Sequence, residues 1–267
     1  MRSSFLLIVE GKKTEPNIFQ SILLKYGYNV IKYEEKLNID LLSQFDEANL
    51  EKDNKNVIIV QGPRNRIHDL LKYYNENEDS FEKMLSRHSE LFQGIFLMYD
   101  VDHNDCDDIE EIFNKFNDES TGMLLLSSPC IEVLGDYNHD RKESKYNHLY
   151  QYKKELNNYY QKNKTDLISY IIDNFEELSL YYLKKNKDDF NENNIMEHPR
   201  LVIDYINKYN ERVNYSKDSE DESYVIYRYF TTVVYVFIAY INGLVREIDN
   251  YDIVYQWLLK RSNMQKL

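Results

Sequence analysis

Apolar residues recur in short unbroken runs through the first half of the chain. Phe5–Val9 (FLLIV), Val57–Val60 (VIIV), Gly94–Asp100 (GIFLMYD) and Gly122–Leu126 (GMLLL) are continuous apolar segments, the pattern of strands buried on both faces. Val30–Tyr33 predicts a further strand. Amphipathic stretches lie between them. Ile18, Phe19, Ile22 and Leu23 give a helix its buried face, with Thr14 as its N-cap and Pro16 in its first turn. Residues 39–50 and the stretch from Gly62-Pro63 to about Glu90 predict helices, and Asp107 with Glu110 reads as a capping pair. Strand–helix alternation with apolar strands predicts an α/β fold, a parallel sheet covered by helices on both faces.

From about residue 136 the strand pattern fades. Helices are predicted at 145–161, 165–186, 198–211, 224–246 and 251–262, which makes the C-terminal region all-helical. The implied division is a sheet domain over 1–135 and a helical domain over 136–267. Tyr224–Ile241 is apolar enough to raise a membrane span. Its apolar positions 226, 230, 233, 237, 241 and 244 form a stripe, however, and Arg228, Thr231 and Thr232 interrupt it, so a buried core helix is expected and no membrane partner. The polar, acidic stretch 214–223 reads as a loop.

Composition sharpens this picture in three places. Only 7 Gly and 4 Pro in 267 residues disfavour an all-β fold dense in tight turns. Two cysteines exclude a disulfide scaffold, and no signal-peptide pattern opens the sequence, so a cytoplasmic protein is expected. The formal charge of −13 opposes general polyanion binding. Residues 136–164 run against that trend, with seven Lys or Arg against four acids and six interleaved tyrosines. That segment suits either phosphate contact and base stacking or a helix packing its Tyr face on a core.

The acids carry the candidate chemistry. Ligands of open parallel sheets sit at the carboxyl ends of strands. Glu10 directly follows FLLIV, and Asp100 and Asp102 close GIFLMYD, two residues apart and so on one side of an extended chain. Converging carboxylates call for a cation, and Mg²⁺ or Mn²⁺ held by a few carboxylates suits phosphodiester chemistry. Chance must be set beside this, because 46 of the residues are acidic. His103 with Cys106, and Cys130 with His139, form no closed four-ligand set, so structural zinc is not expected.

The string Ile8-Val9-Glu10-Gly11-Lys12-Lys13-Thr14-Glu15-Pro16-Asn17-Ile18-Phe19 resembles the opening of the RloB-like proteins, a branch of the Toprim superfamily. The Asp100-Val101-Asp102 block resembles the second Toprim signature. Ser128-Pro129-Cys130-Ile131-Glu132 resembles a third block, Asn-Pro-x-aromatic-Glu, with Ser128 in place of Asn and Ile131 in place of the aromatic. The likeness covers roughly residues 5–135. It implies a Toprim-like sheet domain and a nuclease of phage-defence, abortive-infection loci, often beside an ATPase. It implies Glu10 as acid/base or metal ligand, Asp100 and Asp102 as metal ligands, and Glu132 as a further ligand.

Supporting residues follow. Lys12 and Lys13 are placed to hold a scissile phosphate or, equally, to be solvated; Lys13 is the candidate catalytic cation. Glu15 is either part of the site or a first-turn acid suited to the helix dipole. Arg64 and Arg66, after the strand VIIV, and Arg141, Lys142 and Lys145 are candidate nucleic-acid contacts. The expected function is a Mg²⁺-dependent nuclease acting on DNA or RNA, including tRNA. The alternatives are a catalytically silent interaction subunit of an ATPase-containing defence complex and a nucleotidyl-transferring enzyme. The Tyr-rich half is left to substrate, partner or homodimer contacts.

Overall fold

The computed structural model describes residues 4–38, 40–41, 55–76, 92–101, 106–118, 122–128, 130–136, 143–146, 149–194, 197–204, 225–233 and 251–264. Its strands are β1 (Phe5–Val9), β2 (Asn29–Lys36), β3 (Asn56–Gln61), β4 (Gly94–Asp100), β5 (Asn117–Asp118), β6 (Gly122–Ser128), β7 (Glu143–Tyr146), β8 (Val225–Arg228) and β9 (Phe230–Thr231). Its named helices are α1 (Thr14–Lys25), α2 (Arg64–Glu76), α3 (Cys106–Lys115), α4 (Leu149–Lys162), α5 (Leu167–Asp173), α6 (Phe175–Phe190) and α7 (Tyr251–Met264), with a 3₁₀ turn at Ile131–Gly135. The main sheet runs β2-β3-β1-β4-β6-β5, and β9 also pairs with β6. The fold is α/β, as the alternation predicts.

The chain forms two compact units, 1–99 with 110–124 and 100–109 with 125–267. In the first, β1 lies between β3 and β4 and pairs in parallel with both, Phe5 opposite Val57 and Gly94. Every residue of FLLIV is buried, which is why the run has no polar alternation. β2 pairs in parallel with β3 and is largely exposed, so its sequence NVIKYEEK mixes charges with apolar residues. Ile18, Phe19, Ile22 and Leu23 are the buried face of α1, as their spacing requires. Burial of such side chains contributes roughly 1.5–3 kcal/mol each. The helix ends at Lys25 with Tyr26 as its C-cap, and the φ of 76° at Gly27 lets the amides of Gly27 and Tyr28 turn back to the carbonyls of Leu24 and Leu23. Lys13, not Thr14, is at the N-cap, and Thr14 is already helical.

In the second unit, β9 pairs antiparallel with the end of β6, Ser127 opposite Thr231 and Ser128 opposite Phe230. The Ser127 and Thr231 hydroxyls are 2.8 Å apart and the Thr232 hydroxyl accepts from the Leu126 amide. β7 and β8 form a separate antiparallel pair. These three strands correct the all-helical expectation. The stretch 224–246 was expected to be helical because its apolar spacing fits a stripe. Its beginning, Val-Ile-Tyr-Arg-Tyr-Phe-Thr-Thr, is β-branched and aromatic, and pairing partners available only in the folded chain decide for strand. Likewise the predicted helix 145–161 starts at Leu149, because Lys145 and Tyr146 belong to β7. The predicted helix 165–186 is two helices separated at Asn174, whose side-chain amide donates to the Tyr170 carbonyl. The unit boundaries fall within β4 and β6; beyond them Ser127 and Ser128 pair with β9, and Gly135 lies against Leu167 and Ile171 of α5. Among the described residues, no helix is long and apolar enough to cross a membrane.

Candidate functional site

In the second unit, the end of β4 and the segment after β6 bring three side chains together. Asp100, Cys130 and Glu132 each offer a donor atom, and these atoms lie within 4.8 Å of one another. Two are the acids that the sequence singles out. Cys130 is the addition; its spacing from His139 forms no closed zinc set. The residue between Cys130 and Glu132 explains how Asp100 is held. Ile131 opens the 3₁₀ turn, and its amide donates to Asp100 Oδ1 at 2.8 Å. A carboxylate from another strand thus caps the turn and is oriented by doing so.

Lys153 of α4 completes the cluster. Its Nζ is 3.1 Å from Glu132 Oε2. In the sequence it is one of the seven basic residues of 136–164, and no local pattern ties it to an acid 21 positions earlier. Burial by itself lowers the pKa of the Lys153 ammonium, but the negative charges of Glu132 and Asp100 and the hydrogen bond to Glu132 raise it, so it is cationic. The Cys130 thiol is fully buried. Burial pushes it well up, Glu132 and Asp100 push it further, and Lys153 opposes them. The thiol is therefore neutral beside two carboxylates.

Tyrosines hold the turn that carries Glu132. Tyr182 donates to the Val133 carbonyl at 2.7 Å, Tyr160 to the Gly135 carbonyl at 2.7 Å, and Tyr152 to Asp136 Oδ2 at 3.2 Å. All three are buried, and burial raises each phenol, which keeps it an O–H donor. Part of the Tyr-rich segment is therefore packing with its hydroxyls used. Tyr146 donates to Glu155, while Tyr150 and Tyr159 of α4 are exposed.

The remaining candidates are dispersed. Glu10, in the first unit, follows β1 with its amide donating to the Met98 carbonyl at 3.2 Å. Lys12 and Lys13 are exposed. Glu15 is buried at 7 % exposure, and its carboxylate lies over Gly11: a Cβ there would meet Glu15 Oε2 at 2.0 Å. Arg64 and Arg66 lie in the first turn of α2, and Arg66 pairs with Asp69 at 3.4 Å. Lys145 lies in β7 opposite Ile226. Asp102, His103, His139, Arg141 and Lys142 lie outside the described residues.

Two carboxylates with a neutral thiol and an ammonium make a compact, polar, partly buried cluster. Its oxygen donors fit a hard divalent cation, while the neutral thiol is a poor ligand for Mg²⁺. Compared with family models, curated proteins and solved structures, the chain matches none.

Proposed function

We propose that the chain is a divalent-metal-dependent phosphodiesterase acting on nucleic acid, a Toprim-type nuclease of an anti-phage, abortive-infection system in the cytoplasm. The observation that carries the reading is the pairing of Asp100 with Glu132, two acids expected from separate sequence blocks, at one cluster. They are the described residues that would hold Mg²⁺ or Mn²⁺. When bound, the metal supplies polarisation of a phosphodiester and of the attacking water. Asp100, fixed by the Ile131 amide, keeps its carboxylate in one orientation. The 3₁₀ turn, held by the hydroxyls of Tyr160 and Tyr182, presents Glu132. Glu10 and Asp102 enter the proposal from the sequence, Glu10 to take or give the proton and Asp102 as a further ligand. Lys12 and Lys13 supply positive charge for the phosphate.

A second reading is an interaction subunit of an ATPase-containing complex. It is favoured by the Lys153–Glu132 ion pair, which balances the Glu132 charge with no metal. One experiment separates the two. Purified protein is incubated with single-stranded DNA, duplex DNA and tRNA, with Mg²⁺, with Mn²⁺, or with a chelator. Metal-dependent cleavage that Asp100→Asn, Glu132→Gln and Glu10→Gln each abolish, in variants that melt as the parent does, supports the nuclease. Cleavage that survives Asp100→Asn and Glu132→Gln removes the site. No cleavage of any substrate, together with copurification of an ATPase, supports the second reading.

A further inference from the structure

Glu132 is a charged group in a mostly dry place, its side chain only 12 % exposed. Such a carboxylate needs a counter-charge. The structure supplies one from within: Lys153 Nζ, 3.1 Å from Glu132 Oε2, on a side chain 36 % exposed. The same carboxylate belongs to the cluster in which one donor atom each of Asp100, Cys130 and Glu132 lie within 4.8 Å of one another. An ammonium and a divalent cation therefore ask for the same negative charge, and at such separations two cations repel each other. Lysine suits an exchangeable role. Its ammonium is a compact charge on a flexible four-carbon stem, and its exposed portion gives the head a path into water.

We propose that Lys153 is the resident counter-cation of the Asp100–Glu132 carboxylate pair, and that a divalent metal enters only by displacing its ammonium. This rests on the metal-binding reading above but not on catalysis. Lys153 thereby sets the metal concentration at which the cluster fills. It disfavours occupancy when free Mg²⁺ is low, and it does so through charge rather than through shape.

The test is titration of the full chain with MgCl₂ and with MnCl₂ by calorimetry, with no substrate present. Lys153→Met removes the competing charge and keeps the apolar stem. It is expected to bind either metal about tenfold more tightly than the parent. Lys153→Arg keeps the charge and is expected to stay within about twofold of the parent. Lys153→Gln repeats the charge deletion should the methionine variant melt early. Binding by Lys153→Met and not by the parent also supports displacement. Equal or weaker affinity in both charge-deleted variants overturns it, as does the absence of binding in all proteins. Metal binding that tightens as expected, with no cleavage of any nucleic acid, leaves Lys153's role standing and removes the nuclease.

Discussion

Gly135, the last residue of the 3₁₀ turn, offers the most direct test of how that turn is held. A Cβ at Gly135 would stand 2.1 Å from Leu167 Cδ1, and 3.4 and 3.5 Å from two atoms of Ile171. The Ile171 distances are ordinary contact or slightly tight. The Leu167 distance is well inside the 3.5–4 Å or so at which carbon atoms attract. Leu167 is 5 % exposed and Ile171 fully buried, so the leucine has no open direction in which to retreat. Forcing a methyl into such a core costs about 1–3 kcal/mol. Alanine recovers roughly 0.4–1 kcal/mol by restricting the unfolded chain. Gly135→Ala is thus expected to destabilise by about 1–2 kcal/mol. Leu167→Ala alone leaves a cavity, at about 2–5 kcal/mol. In the double variant the new methyl occupies space that the leucine vacates. The combined loss should fall short of the sum of the two by about 1–2 kcal/mol. Urea unfolding followed by the fluorescence of Trp257, the chain's one tryptophan, reads this from the same unit. Strictly additive losses, or a Gly135→Ala midpoint equal to the parent's, would refute the packing argument.

Two further outcomes follow. Gly27 has φ 76° with nothing within 4 Å of an added Cβ, so Gly27→Ala should cost about 1 kcal/mol from backbone strain alone, and Gly27→Asn should recover much of it in the same urea assay. His198 is fully buried, and burial lowers its pKa, partly offset by its hydrogen bond to the Glu192 carbonyl at 3.1 Å. Its folded pKa lies below the ordinary value of about 6.5, so the unfolded chain takes up the proton first as pH falls. The stability this histidine contributes is complete above that value and lost below it. His198→Gln should therefore lose less stability than the parent between about pH 7.5 and 5.5; an equal loss refutes the assignment.

What was legible in the sequence follows from what each residue's neighbours are. β1 and β4 were read to the residue, because a strand covered on both faces is apolar throughout and carries its own boundaries. Asp100, picked out by its place at a strand end, and Glu132, by the third block, lie side by side in the fold. Cys130 and Lys153 were not, since their roles arise when the turn after β6 meets α4. β8 and β9 carry a helical apolar spacing, and their partners, β7 and the end of β6, lie 79 to 104 residues away in sequence. Tyr152, Tyr160 and Tyr182 were seen only as an excess, because a hydroxyl's acceptor is a tertiary fact.

The place of Gly11 under the Glu15 carboxylate bears on how this stretch of chain can diverge. The space beside Gly11 is already taken, at 2.0 Å, by a side chain itself 7 % exposed. Positions 11 and 15 therefore share one volume. Any side chain gained at 11 evicts the carboxylate from the first turn of α1, and any shortening at 15 opens room at 11. In relatives of this chain, a side chain at position 11 should therefore occur only with something shorter than glutamate at 15, whereas position 15 can shorten while 11 stays glycine.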